Sequence, residues 1–207
     1  MTAQPGDVPH HILQEATRLF VERGYHGLSM REIAEAVGVS KAGLYYYFKD
    51  KEDLFLAILL GNLSRLEQIL QEARQAPTAR QQIEHFVRAL FRWPPEERAI
   101  IRLASQEMEH LSQHGVAEFS RLYYAKFIGQ VQAILAEGVQ RGELRPVDPT
   151  LATWMLLGMM YPFFYSAHAV ARSASPDIVD LMLTIFFEGA AARPSSPAAG
   201  PPPAAEI

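Results

Sequence analysis

Cysteine is absent from the 207-residue sequence. That excludes disulfides, thiolate metal sites and cysteine nucleophiles together, and it fits a reducing compartment. Lysine is scarce: only Lys41, Lys49, Lys51 and Lys126 occur, and 19 Lys+Arg face 23 Asp+Glu, for a net charge of −4. At first sight this argues against nucleic acid as a partner, since a basic patch is the expected footprint. No Ser-His-acid pattern, phosphate-cradling loop or complete metal signature is present, so neither an enzyme nor a resident cofactor or metal is expected. Residues 1–11 lack a basic segment followed by an apolar run, so no secretory signal is expected and a cytoplasmic location is.

Charge is also missing from residues 151–171, a run of 21 without Asp, Glu, Lys or Arg. The length suffices to cross a bilayer. Thr153, Pro162, Ser166 and His168 interrupt the run, and no basic cluster flanks it. A helix buried on most sides gives the same pattern, and no membrane partner is expected.

What remains is ordinary globular material, with 49% hydrophobic and 20% charged residues. The periodicity is helical throughout. An apolar stripe of Ile12, Leu13, Ala16, Leu19 and Phe20 ends at Gly24. Ser29-Met30-Arg31-Glu32 has the form of a capping box and opens a short helix closed by Gly38. Ser40 caps a third helix to about Phe48, and Asp50 opens a long fourth over 50–74. Further helices are predicted over 78–93, from Pro94-Pro95 to a stop at Gly115, and over 116–141, 148–172 and 175–192. The expectation is an all-α chain of about nine helices. A helix-turn-helix unit occupies 1–54, a larger helical domain 55–192, and a Pro-, Ala- and Ser-rich disordered tail 193–207.

The second and third helices, joined by Gly38-Val39, have the form of a helix-turn-helix, whose second helix enters the major groove. Ala34 is small enough for close approach, and Leu44 and Phe48 anchor the third helix. Lys41, Ala42, Tyr45 and Tyr46 are left to face outward. The series Gly24-Tyr25, Ser29 to Ala34, Val37 to Ser40, Leu44 to Phe48, Lys51 and Leu54 resembles the DNA-binding domain of TetR-family transcriptional regulators. The resemblance implies DNA contacts from Ser29, Arg31, Ser40, Lys41, Ala42, Tyr45, Tyr46, Tyr47 and Lys51. Ser40 and Lys51 would meet phosphates, Lys41 and Ala42 base edges, and Tyr45 and Tyr46 phosphates or thymine methyls. Many members have Gly where Ala42 stands and His where Tyr47 stands, so base preference does not carry over. It also implies a ligand-responsive dimer that binds a palindromic double-stranded DNA operator, most often as a repressor.

The helices predicted over 148–172 and 175–192 are apolar on most sides. In the last, Ile178, Leu181, Met182, Ile185 and Phe186 form one stripe, and Val179, Leu183 and Phe187 lie opposite. Such helices suit a homodimer built as a four-helix bundle. Candidates for an apolar effector cavity are Trp93, Arg102, Met108, Phe119, Tyr123, Phe127, Trp154, Met155, Met159 and Phe163. Pro162 should kink its helix and free the Gly158 carbonyl, widening that cavity. His110 and His114, four apart with Glu107 before them, have a metal-compatible spacing but no further ligand. The charge objection now weakens. Three of the four lysines lie between residues 41 and 51, and 39–51 carries +2 inside an acidic chain. A local footprint fits selective DNA binding and weak sequence-blind binding.

Overall fold

A computed structural model describes residues 8–164 and 176–189. All regular structure among them is helical. The helices are α1 (Val8–Arg23), α2 (Met30–Val37), α3 (Lys41–Tyr47), α4 (Lys51–Ala73), α5 (Ala79–Phe91), α6 (Pro95–Glu107), α7 (Gln113–Tyr123), α8 (Gly129–Gln140), α9 (Pro149–Met160) and α10 (Pro176–Glu188). A π-helical turn, Tyr124–Ile128, joins α7 to α8 without a break. Counted as one, they give nine helices among the described residues. The tail at 193–207 lies outside the described residues.

Local chemistry sets most boundaries. The Ser29 hydroxyl accepts the Glu32 amide at 3.3 Å and the Ser29 amide donates to the Glu32 carboxylate at 2.9 Å, completing the capping box. Ser40, Asp50, Thr78 and Asp148 cap α3, α4, α5 and α9 in turn. Gly38, at φ +77°, takes the left-handed conformation that turns α2 into α3.

Two boundaries differ from the sequence prediction. Gly115 does not end a helix. The sixth helix stops at Glu107, a 3-10 turn covers Met108–His110, and Gly115 lies in the first turn of α7 behind its cap, Ser112. The glycine serves close packing there instead of termination. The break also places His110 and His114 on separate elements, so they do not share a helix face; the His114 side chain is 91% exposed. Pro162 lies in a 3-10 turn beyond the α-helical part of α9. The α-helical ladder of α9 ends at Met160 and passes into a 3-10 turn, Tyr161–Phe164. Residues 165–172, the rest of the predicted helix, lie outside the described residues. Among the described residues no helix is long and apolar enough to cross a membrane.

One contiguous apolar core runs from Ile12 in α1 to Leu183 in α10. Phe20 and Phe55, fully buried with ring centroids 5.1 Å apart, join α1 to α4. The start of α4 therefore belongs to the core of the helix-turn-helix unit, while its remainder packs on α5, α6 and α7. Gly138 allows close contact of α8 with α5: a Cβ there would come within 2.5 Å of the Ala79 Cβ.

Candidate nucleic-acid interface and effector region

The third helix buries Leu44, and its cap buries Phe48. These anchors turn the other side outward: Lys41 and Ala42 are exposed, as are Tyr45 (43%), Tyr46 (83%) and Tyr47 (37%). Lys41 Nζ sits 5.7 Å from the Tyr45 ring centroid, and the Tyr46 and Tyr47 rings pack edge-to-face at 5.1 Å. Together they make an exposed aromatic surface with a cation at its N-terminal end. Ser40 lies at the same end, its hydroxyl accepting the Gly43 amide at 2.9 Å. Arg31 is exposed and paired with Glu35 at 2.8 Å.

Lys51 has a different environment from the one expected. Its ammonium donates to the carbonyls of Tyr25 (2.8 Å) and Leu28 (2.9 Å) and lies 4.3 Å from the Tyr25 ring centroid. Burial pushes its pKa down, while Glu107 and Glu32 oppose the shift. The lysine clasps the loop that enters α2. Ser29 is likewise engaged with Glu32. The Arg23 guanidinium at 2.7 Å, with the Ser29 hydroxyl and amide, holds the Glu32 carboxyl down from 4.5 to about 2.

The ten residues expected around an effector do not converge on one cavity. Phe119 and Tyr123 line a small space of about 20 Å³ with Leu59, Asn62, Leu63 and Leu66 of α4 and Ile100, Ile101 and Ala104 of α6. Burial raises the Tyr123 phenol to about 12. Phe127 is buried just behind, its ring 5.3 Å from Tyr123. Trp93 lies against the Arg65 guanidinium at 4.2 Å. Arg102 is half-buried on α6 beside Gln106, and Met108 is half-buried in the 3-10 turn. Phe163 packs on Phe91, ring centroids 6.1 Å apart. Met155 and Met159 instead line an open cleft of about 770 Å³ with Leu135, Leu144, Leu151 and Ile185. Trp154 is 53% exposed and lines neither space. Apolar residues on amphipathic helices can face any of several neighbours, and periodicity does not say which.

In α10, Val179, Met182 and Leu183 are buried, while Leu181 and Ile185 are exposed at 60% and 38%. The predicted stripe is therefore split between core and surface. Leu151, Trp154 and Met155 of α9 are exposed as well. Two residues escaped the sequence reading. Asn62 brings a polar side chain to the small cavity, signalled only by an amide following the apolar run 54–60. Arg98 is 2% exposed, its guanidinium 5.0 Å from the Phe91 ring centroid; within Glu96-Glu97-Arg98 it reads as an ordinary charged helix start. Among the described residues no group of three or more acidic, His or Cys side chains could hold a metal.

The model of bacterial regulatory proteins of the tetR family matches residues 12–58, and that of the tetracyclin repressor-like C-terminal domain matches 76–162. RutR, an HTH-type transcriptional regulator of Escherichia coli K12, is 32% identical over 147 residues, covering 70% of this chain and 68% of RutR. The chain belongs to the TetR family. Members of this family are DNA-binding transcriptional regulators and not enzymes. The HTH-type transcriptional repressor AcnR of Corynebacterium glutamicum is 37% identical over 76 residues; the match spans 35% of this chain and 40% of AcnR. AibR, solved with isovaleryl coenzyme A and operator DNA, superposes with a TM-score of 0.74 at 26% identity, covering 87% of this chain and 98% of AibR.

Proposed function

We propose that the protein is a ligand-responsive repressor that binds a palindromic operator as a homodimer and is released by a small, largely apolar molecule. The carrying observation is the outward face of α3, with Lys41, Ala42, Tyr45 and Tyr46 exposed above a buried Leu44. Two copies would place two such helices in successive major grooves, about 34–36 Å apart. Lys41 and Ala42 read base edges, Ser40, Tyr45, Tyr46 and Tyr47 meet backbone or thymine methyls, and Arg31 approaches phosphate from α2. Ser29 and Lys51 act by fixing the geometry of α2. The exposed apolar residues of α9 and α10 support dimerisation there, a second copy covering Leu151, Trp154, Met155, Leu181 and Ile185. The effector enters between α4, α6 and α7, where Phe119, Tyr123 and Asn62 meet. The small molecule and operator bound by AibR, and the repressor role of AcnR, support this reading.

The test is a gel-shift on a duplex recovered by selection from random DNA, at fixed salt. The wild type should bind it with a modest salt dependence, in keeping with the few cations near α3. Lys41→Ala combined with Tyr45→Ala should lose most of that affinity while sedimenting as the wild type does. Unchanged binding by the double variant would remove α3 as the reading helix.

A further inference from the structure

We propose that Glu52 is a positioning residue that couples α7, a wall of the effector cavity, to the DNA-reading unit; this rests on the function proposed above. Its neighbour Lys51 holds the loop before α2 through the Tyr25 and Leu28 carbonyls, so the first turn of α4 is tied to the helix-turn-helix. The Glu52 carboxylate reaches in the opposite direction. It accepts the Ser112 amide at 3.2 Å on each oxygen, and the Ser112 hydroxyl donates to Oε1 at 2.5 Å. Ser112 is the N-cap of α7, its oxygen accepting the Gly115 amide at 3.1 Å. A carboxylate at this end of a helix is held by charge-assisted hydrogen bonds and by the helix dipole.

Gly115 makes room for the latch. It is buried and helical, so no left-handed backbone demands glycine. A Cβ there would stand 2.6 Å from Glu52 Oε1 and 3.3 Å from Leu56 Cδ1. The glycine that looked like a helix stop is a bare seat for a side chain from α4.

The two helices are thus fastened at one end and face a cavity further along. Phe119 and Tyr123 of α7 stand across it from Leu59, Asn62, Leu63 and Leu66 of α4. Its volume of about 20 Å³ holds roughly one water. A larger molecule seated fully between these side chains displaces α6 or α7 from α4. With the N-terminus of α7 latched to Glu52, that movement turns the first turn of α4, and Lys51 carries the turn to α2. By linkage, bound DNA must alter α7 as an effector alters DNA binding.

That reciprocity allows a test with DNA as the only ligand. Hydrogen exchange is followed at residues 113–119 in the full-length protein, with and without the selected duplex. In the wild type DNA should change exchange there by at least about fivefold. In Glu52→Gln and Gly115→Ala the change should vanish, while both variants bind the duplex within about threefold of wild type. Glu52→Gln keeps the side chain's size, so it decides the matter if Gly115→Ala does not fold. Wild-type α7 indifferent to bound DNA, a full DNA response in Glu52→Gln, or loss of duplex binding in that variant would overturn the latch. Failure of the wild type to bind any duplex would instead remove the function on which it rests.

Discussion

The DNA-reading unit and the α9–α10 face both expose large side chains, but of opposite character. At α3 the exposed groups are three tyrosines with Lys41 beside them. Phenol hydroxyls and an ammonium suit a wet, anionic partner such as the phosphate backbone. At α9 and α10 the large exposed side chains are Leu, Ile, Met and Trp, residues 151–164 contain no charge, and the exposed Asp180 and Glu188 of α10 are paired with Arg88 and Arg80. Such a face suits a dry, apolar partner. Exposed hydrophobic area alone would class the two together. The polar tips of the side chains separate them.

Four experiments would break or sharpen that contrast. The largest effect is expected in the core beneath the DNA-reading unit. Phe55→Ala should cost roughly 3–5 kcal/mol in thermal or urea unfolding, because it empties the joint between α1 and α4. The transition should stay single. Two separate transitions would show that the regions fold independently. Next, Leu181→Glu with Met155→Arg should weaken self-association by about 100-fold or more, measured by sedimentation velocity, through charges placed on an apolar interface. A variant dimer as tight as the wild type would move the interface elsewhere.

Third, Lys41→Ala with Tyr45→Ala should lower affinity for the selected duplex by about 10- to 100-fold with association unchanged. An equal loss from the dimer-face variant alone would show that affinity depends on having two linked half-sites. The smallest effect concerns Glu32. Its folded-state carboxyl lies near 2 against an ordinary 4.5, so the stability it adds is fully present above about pH 4.5 and is lost as pH falls toward 2. Unfolding between pH 5 and 2 should be less steeply pH-dependent in Glu32→Gln. An unchanged slope would mean that the Arg23–Ser29–Glu32 cluster does not set the acid sensitivity of this unit.

Much of the DNA-reading unit was legible because its determinants are local. A capping box spans four residues, a left-handed glycine marks its own turn, and Leu44 with Phe48 orients a helix of seven residues. Lys51 was placed in the right unit, but its carbonyl partners, 26 and 23 residues earlier, were not legible. The effector region was legible only as composition. Phe119 and Tyr123 reached the small cavity, Met155 and Met159 another cleft, and Trp154 the surface. Gly115 misled because glycine ends helices far more often than it seats a neighbour's carboxylate.

The sequence by itself determined that the fold is all-α, where most helices begin, and that Lys41, Ala42, Tyr45 and Tyr46 of α3 face away from their core. Those follow from hydrogen-bonding and steric rules acting over a few residues. Only the tertiary structure decided that Lys51 clasps a loop, that Glu52 fastens α7, and which face of α10 is buried. Each depends on which segment lies against which, and that arises from packing many apolar stripes into one core.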